Sequence, residues 1–152
     1  MHHEILRALV SLYHGELAAE RSYGRAAQRF AGQPEEAVLQ RLELAHAEAS
    51  QRIAEEIRAA GMVVPEPMGV WETFAETAEA AAGFINDDIA LHVLQRGEQI
   101  GVHAYEKALA SPYVTIALYR LLTDLLSACR GHLRELRGLR AHVLEVQDRP
   151  ML

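Results

Sequence analysis

Cysteine is nearly missing from this 152-residue chain, which holds one, Cys129. A single thiol closes no intramolecular disulfide, so a reducing compartment is expected. Proline and glycine are sparse, at 5 and 10 residues, which excludes collagen-like and low-complexity readings. Positive charge is outnumbered: 15 Lys and Arg face 21 Asp and Glu, for a formal charge of -6. A nucleic-acid binder normally carries the opposite surplus, so none is expected as partner. No run of about 18 apolar residues occurs, and no membrane span is expected. Met1-His2-His3-Glu4 lacks the basic segment and unbroken apolar stretch of a signal peptide, which points to a cytoplasmic location. What the chain does have is 50% hydrophobic residues, enough to bury a sizeable core in a single domain over residues 1–152.

Glycine and proline divide the chain into long blocks of helical periodicity. The first runs from His3 to Phe30 and ends at Ala31-Gly32-Gln33-Pro34. The second opens after Pro34 with Glu35 and Glu36, acids suited to a helix N-terminus, and runs to Ala60 with Gly61 as C-cap. A linker to Gly69 leads to a shorter helical block from about Val70 to Ala82. Asn86-Asp87-Asp88 opens the third long helix, which reaches about Ala110. Ser111-Pro112 makes a tight turn, and the last helix spans about Tyr113 to Val146. No strand-like alternation competes, so the fold class is all-α. Two short turns give two antiparallel hairpins, 3–60 and 87–146. The crossover 61–86 is long enough to run the length of a bundle and start the third helix parallel to the second. An up-down-up-down bundle with a decorated loop is the alternative.

An internal repeat relates the hairpins. Gly15-Glu16, Tyr23 and Ala26 recur as Gly97-Glu98, Tyr105 and Ala108, the pattern Gly-Glu-x6-Tyr-x2-Ala. Glu16 lies on the seam Ile5, Leu9, Leu12, Ala19, Tyr23, whose steps of four and three mark a core-facing stripe. Glu20 interrupts the adjacent stripe. On the second helix Glu43 and His46 share a seam with Leu39, Ile53 and Ile57; on the third, Glu98 follows Leu91 and Leu94. On the fourth, Cys129 and His132 sit among Leu122, Leu125, Leu136 and Leu139. Each long helix thus brings a carboxylate or an imidazole to the seam that faces the others. By contrast, Arg96, Gln99, His103 and Glu106 share a solvated face, as does the run Arg130, Arg134, Arg137, Arg140, and His2, His3 and His142 lie near frayed ends. Trp71 and Phe74 are expected to cap the side of the bundle.

Burying an unpaired carboxylate costs several kcal/mol, and no Lys or Arg lies on these central stripes. A divalent metal compensates several carboxylates at once and takes neutral imidazoles. Residues i and i+3 share a helix face, so Glu43 and His46 are placed to hold one ion together. This ligand chemistry favours iron, manganese or zinc. Counted from the turns, Glu20, Glu98 and His46 fall in one layer, with His132 nearly two helical turns beyond it. The repeat instead pairs Glu16 with Glu98. Glu16, Glu20, Glu43, His46, Glu98 and His132 are therefore the candidate ligands. Tyr23 and Tyr105 are core aromatics or donors to the carboxylates, and Cys129 reads as a small buried residue.

These motifs resemble the ferritin-like superfamily, rubrerythrin-type proteins and uncharacterised bacterial bundles among them. Gly15-Glu16 with Ala19 and Tyr23, Glu43-x-x-His46, and the stretch from Arg96-Gly97-Glu98 through Tyr105 to His132 carry the likeness. The resemblance implies a di-iron or di-manganese centre, chemistry with dioxygen or peroxide as in a di-iron oxidase, a role in metal handling or stress protection, and a homo-oligomer, dimer or larger. The chain departs from the pattern at Cys129, where a fourth-helix Glu is required. A single ion, an asymmetric pair and an empty, degenerate site all stay open. A reading of another class is a non-catalytic bundle whose buried acids, raised in pKa, serve register, oligomerisation or partner binding. Its stability falls as pH rises through those values.

Overall fold

The computed structural model describes residues 1–66 and 86–149. Among the described residues there are four helices and no strand: α1 (His3–Arg29), α2 (Glu35–Ala59), α3 (Asp87–Leu109) and α4 (Ile116–Gln147). The short helix expected near 70–82, with Trp71 and Phe74, lies outside them.

Local chemistry sets the helix ends. Gly61 adopts φ 77° just past α2, where a residue with a Cβ would be strained. Its N–H donates to the Arg58 carbonyl at 2.8 Å and that of Met62 to Ile57 at 3.2 Å, a Schellman closure. Gly32 takes the same φ between α1 and α2, and the Glu36 carboxylate accepts from its N–H at 2.8 Å. Asn86 caps α3, its side chain accepting from the Ile89 N–H at 3.0 Å. α4 begins at Ile116, three residues later than the periodicity suggests, because Thr115 is its cap and accepts from the Leu118 N–H at 3.3 Å. The N-terminus does not fray freely: the His2 ring stacks on Tyr113 with centroids 3.4 Å apart and accepts from the Glu4 N–H.

Pairs at the helix ends fix the directions. Arg29 at the end of α1 meets Asp87 at the start of α3, and Ser111, just past α3, meets Glu4 at the start of α1. α1 and α3 are therefore antiparallel. Arg41–Glu135 and Arg52–Asp124 make α2 antiparallel to α4 by the same reasoning. With each hairpin antiparallel within itself, α2 and α3 run the same way, and residues 60–86 join opposite ends of the bundle. The arginines of α4 are not uniformly solvated. Arg140 is forked onto Asp88 at 2.6 and 3.0 Å and donates to Gln95, and Arg130 pairs with Glu106, so this face ties α4 to α3.

The apolar core comes in two parts. One is built around Ile5, Leu9, Ile53, Ile57, Leu118 and Leu122, the other around Phe30, Leu39, Leu42, Leu91, Leu136 and Val143. Between them lies the polar centre of the bundle.

Candidate metal centre

The seam of α1 carries Glu16 inward, and the matching seams deliver His46, Glu98 and His132 from α2, α3 and α4. All four side chains are buried. His46 is the hub. Its Nδ1 lies 2.6 Å from Glu16 Oε2 and its Nε2 2.8 Å from Glu98 Oε1. His132 Nδ1 lies 3.1 Å from the same Glu98 oxygen, and the Tyr23 hydroxyl donates to it at 2.7 Å. Tyr105 donates to the other carboxylate, Glu16 Oε1, at 2.5 Å. The two halves of the sequence repeat are thus interlocked: the tyrosine of each donates to the glutamate of the other. Tyr23 also stacks on His46, centroids 4.9 Å apart, and His132 meets His46 edge-on at the same separation.

The electrostatics follow from burial and this pairing. Burial by itself disfavours a charged His46, but hydrogen bonds to Glu16 and Glu98 outweigh it and push its pKa up to about 10. With a carboxylate at each ring nitrogen, His46 is an imidazolium donating in both directions. Burial raises Glu98, yet its bonds to His132 and His46 prevail and hold it down at about 2. The raised carboxylate range expected of a metal-free bundle is therefore not what Glu98 shows, because imidazoles and not apolar groups surround it. Burial, reinforced by the facing carboxylates, pushes Tyr23 and Tyr105 well above the usual phenol range. It also pushes up the Cys129 thiol, which keeps it a neutral SH and not a nucleophile.

Of the six candidate ligands, Glu16, His46, Glu98 and His132 converge. One ligand atom each from His46, Glu98 and His132 lie within 4.8 Å of one another. His132 belongs to the layer of His46 and Glu98, not nearly two turns beyond it; the start of α4 at Ile116 accounts for about one of those turns. Glu20 is half-buried and stands apart from this hydrogen-bonded group, so the repeat, and not the count from the turns, picks the α1 residue. Glu43 is half-buried too. Its carboxylate lies against Gly24 of α1, where an added Cβ would come within 2.6 Å of Oε1. The shared face of i and i+3 does not bring Glu43 in beside His46, because the missing side chain of Gly24 offers it a place elsewhere. Sequence reasoning also missed the burial of Glu35 at the first turn of α2, where the helix dipole favours an acid and His142 lies 3.7 Å away.

A cavity of about 70 Å³ adjoins the cluster between α1 and α3. Glu16, Glu98, His46, both tyrosines and Cys129 line its inner side, and Gly15, Ala19, Gly97, Gly101 and Ala104 its outer side.

Among the described residues, no helix is long and apolar enough to cross a membrane. In comparison with known proteins, no family model matches the chain and no curated protein aligns with it.

Proposed function

We propose that this chain is a ferritin-like four-helix bundle that holds one divalent transition ion between His46, Glu98 and His132, with iron first and manganese or zinc as alternates. The observation that carries the reading is the buried convergence of two imidazoles and one carboxylate from three helices. Two histidines with one carboxylate are a donor set suited to iron, manganese and zinc, not to calcium or copper(I). Glu16 plays a different part: it accepts from His46 Nδ1, which would leave Nε2 to the ion and fix the ring. Tyr105 in turn fixes Glu16. The parallel course of α2 and α3 across a long connection supports the ferritin-like topology. A bound ion of this kind supplies Lewis acidity and, if iron, one-electron chemistry, which suits metal handling or protection against oxidants.

Anaerobic Fe(II) titration of metal-free protein, repeated with Mn(II) and Zn(II) and followed by elemental analysis after desalting, tests the reading. One ion retained per chain, and none in His46→Ala or His132→Ala with helicity intact, is the expected result. Retention of no ion by the native chain overturns it; two ions overturn the single-ion stoichiometry.

One observation favours a second reading. His46, between two carboxylates, neutralises much of the buried charge without any ion, as a structural bundle with a degenerate site requires. That reading predicts no retained metal.

A further inference from the structure

The cavity between α1 and α3 is not needed for holding an ion, and its construction calls for a separate account. It lies on the α1–α3 side of the cluster, and the inner residues it touches are the polar ones: Glu98 and Glu16, each about 95% buried, with His46 and the tyrosine hydroxyls. Its outer side is made of Gly15, Ala19, Gly97, Gly101 and Ala104, all partly exposed, so the space reaches the surface along the seam. Interiors are normally packed without voids of this size, and the seam is open for a specific reason. A Cβ added at Gly97 would meet nothing within 4 Å, and one at Gly101 only Cys129 Sγ at 3.8 Å. Neither glycine takes a left-handed φ. Backbone geometry and crowding therefore do not require them, and in mid-helix each costs roughly 0.5–1 kcal/mol relative to alanine. What the two glycines maintain is the opening itself.

Size and lining define what fits. The volume is several times the roughly 10–15 Å³ that admits one water, which suits a molecule of two or three heavy atoms. Of the remaining walls, Leu12, Ala18, Val93 and Leu94 are apolar and Ser22 adds one neutral hydroxyl, so an uncharged occupant is favoured over a solvated ion. His46, Glu98 and His132 supply three donors, and a transition ion held by three has coordination positions left over.

We propose that the α1–α3 seam is the port through which an uncharged molecule of two or three heavy atoms reaches the open positions of the ion, with Gly97 and Gly101 setting the size limit. This rests on the metal reading above, and the test separates the two.

The probe is nitric oxide, an uncharged diatomic that binds Fe(II), added to the Fe(II)-loaded protein and followed by absorbance and electron paramagnetic resonance. The native chain is expected to form the nitrosyl adduct and to exclude tert-butyl isocyanide, which is too large for the cavity. Gly97→Leu is expected to leave Fe(II) affinity unchanged and slow nitric oxide association by on the order of tenfold, the added side chain filling the void. Gly101→Ala is the milder variant, expected to slow it less. A metal-free arm uses xenon: it should shift the methyl resonances of Ala19, Ala104 and Val93 in the native chain and not in Gly97→Leu. Failure to retain Fe(II) overturns the metal reading, and the port to a metal with it, whatever xenon does. An Fe(II)-loaded chain that forms no adduct, or binds tert-butyl isocyanide readily, overturns the port alone. So does equal nitric oxide association in native protein and a folded Gly97→Leu that has lost its xenon shifts.

Discussion

The two halves of the internal repeat present the same residues to the same centre and reach different ends. Glu98 of the second half receives imidazoles from α2 and α4 and a phenol from α1, all on one oxygen. Glu16 of the first half receives one imidazole nitrogen and one phenol. The partners explain the split. Beside His46 the α2 acid Glu43 has turned toward Gly24, and beside His132 the α4 position is Cys129, uncharged at any ordinary pH. Neither hairpin therefore completes a carboxylate pair of its own, and among the described residues the only ring bonded to both glutamates is His46. A repeated motif fixes where a carboxylate sits; its neighbours on the other helices decide whether it becomes a ligand or orients one.

The sharpest way to break this asymmetry is to neutralise each glutamate in turn. Glu98→Gln is expected to abolish metal retention and to destabilise the metal-free protein by about 1.5–3 kcal/mol, the range for hydrogen bonds to charged groups. Glu16→Gln removes only the partner that orients His46, so metal affinity should fall about 10–100-fold while stoichiometry stays at one. Calorimetry with Fe(II) and urea unfolding of both variants measure the difference. Equal losses of affinity would make the two glutamates equivalent ligands and dissolve the distinction.

A smaller effect separates the two carboxylates by pH. His46 is raised to about 10 from 6.5. Its contribution to metal-free stability is therefore full below pH 6.5 and is lost as pH rises through about 10. Glu98 is depressed to about 2 from 4.5, so its contribution is full above pH 4.5 and is lost as pH falls through about 2. Thermal unfolding across this range should show both limbs, and His46→Gln should flatten the alkaline one. Metal affinity runs the other way there, rising with pH, because His46 must give up its Nε2 proton to a ligand bond. A metal-free protein whose stability is flat to pH 11 would deny the imidazolium its place between Glu16 and Glu98.

Much of this was legible before any coordinates. Seam periodicity located Glu16, His46, Glu98 and His132, since an acid or imidazole inside a leucine stripe has few other places to point. The repeat Gly-Glu-x6-Tyr-x2-Ala identified Glu16 as the partner of Glu98, and the reciprocal tyrosine bonds are its physical content. Counting residues from turns failed for His132 in part because it assumes that every helix starts at its turn; for Glu20 it gave a level along the bundle but not the face that points inward. Thr115, a strong N-cap residue, was the signal that α4 begins one turn late. Glu43 misled for another reason. Sharing a helix face with His46 fixes the direction of Cα–Cβ, but a long side chain follows whatever space its neighbours leave, and that space was made by a glycine on another helix.

Gly24 offers the finest test of the comparison, with the smallest expected change. An added Cβ would stand 2.6 Å from Glu43 Oε1 and 3.1 Å from Cδ, so Gly24→Ala must displace the carboxylate. Because the displaced group is the flexible end of a half-buried side chain, the cost is small. Replacing a mid-helix glycine offsets it by roughly 0.5–1 kcal/mol, and net stability should change by less than about 1 kcal/mol. If the asymmetry of the halves resides in Cys129 and the buried imidazoles, the variant still takes one ion per chain at native affinity. If it resides in where Glu43 is parked, the freed carboxylate adds a donor beside His46. A second Fe(II) equivalent then appears, and the double variant Gly24→Ala, Glu43→Gln returns the stoichiometry to one. We expect the first outcome, because both ring nitrogens of His46 are already committed, Nδ1 to Glu16 and Nε2 to the first ion, so the freed carboxylate would meet a second ion with no imidazole of α2 left to share it.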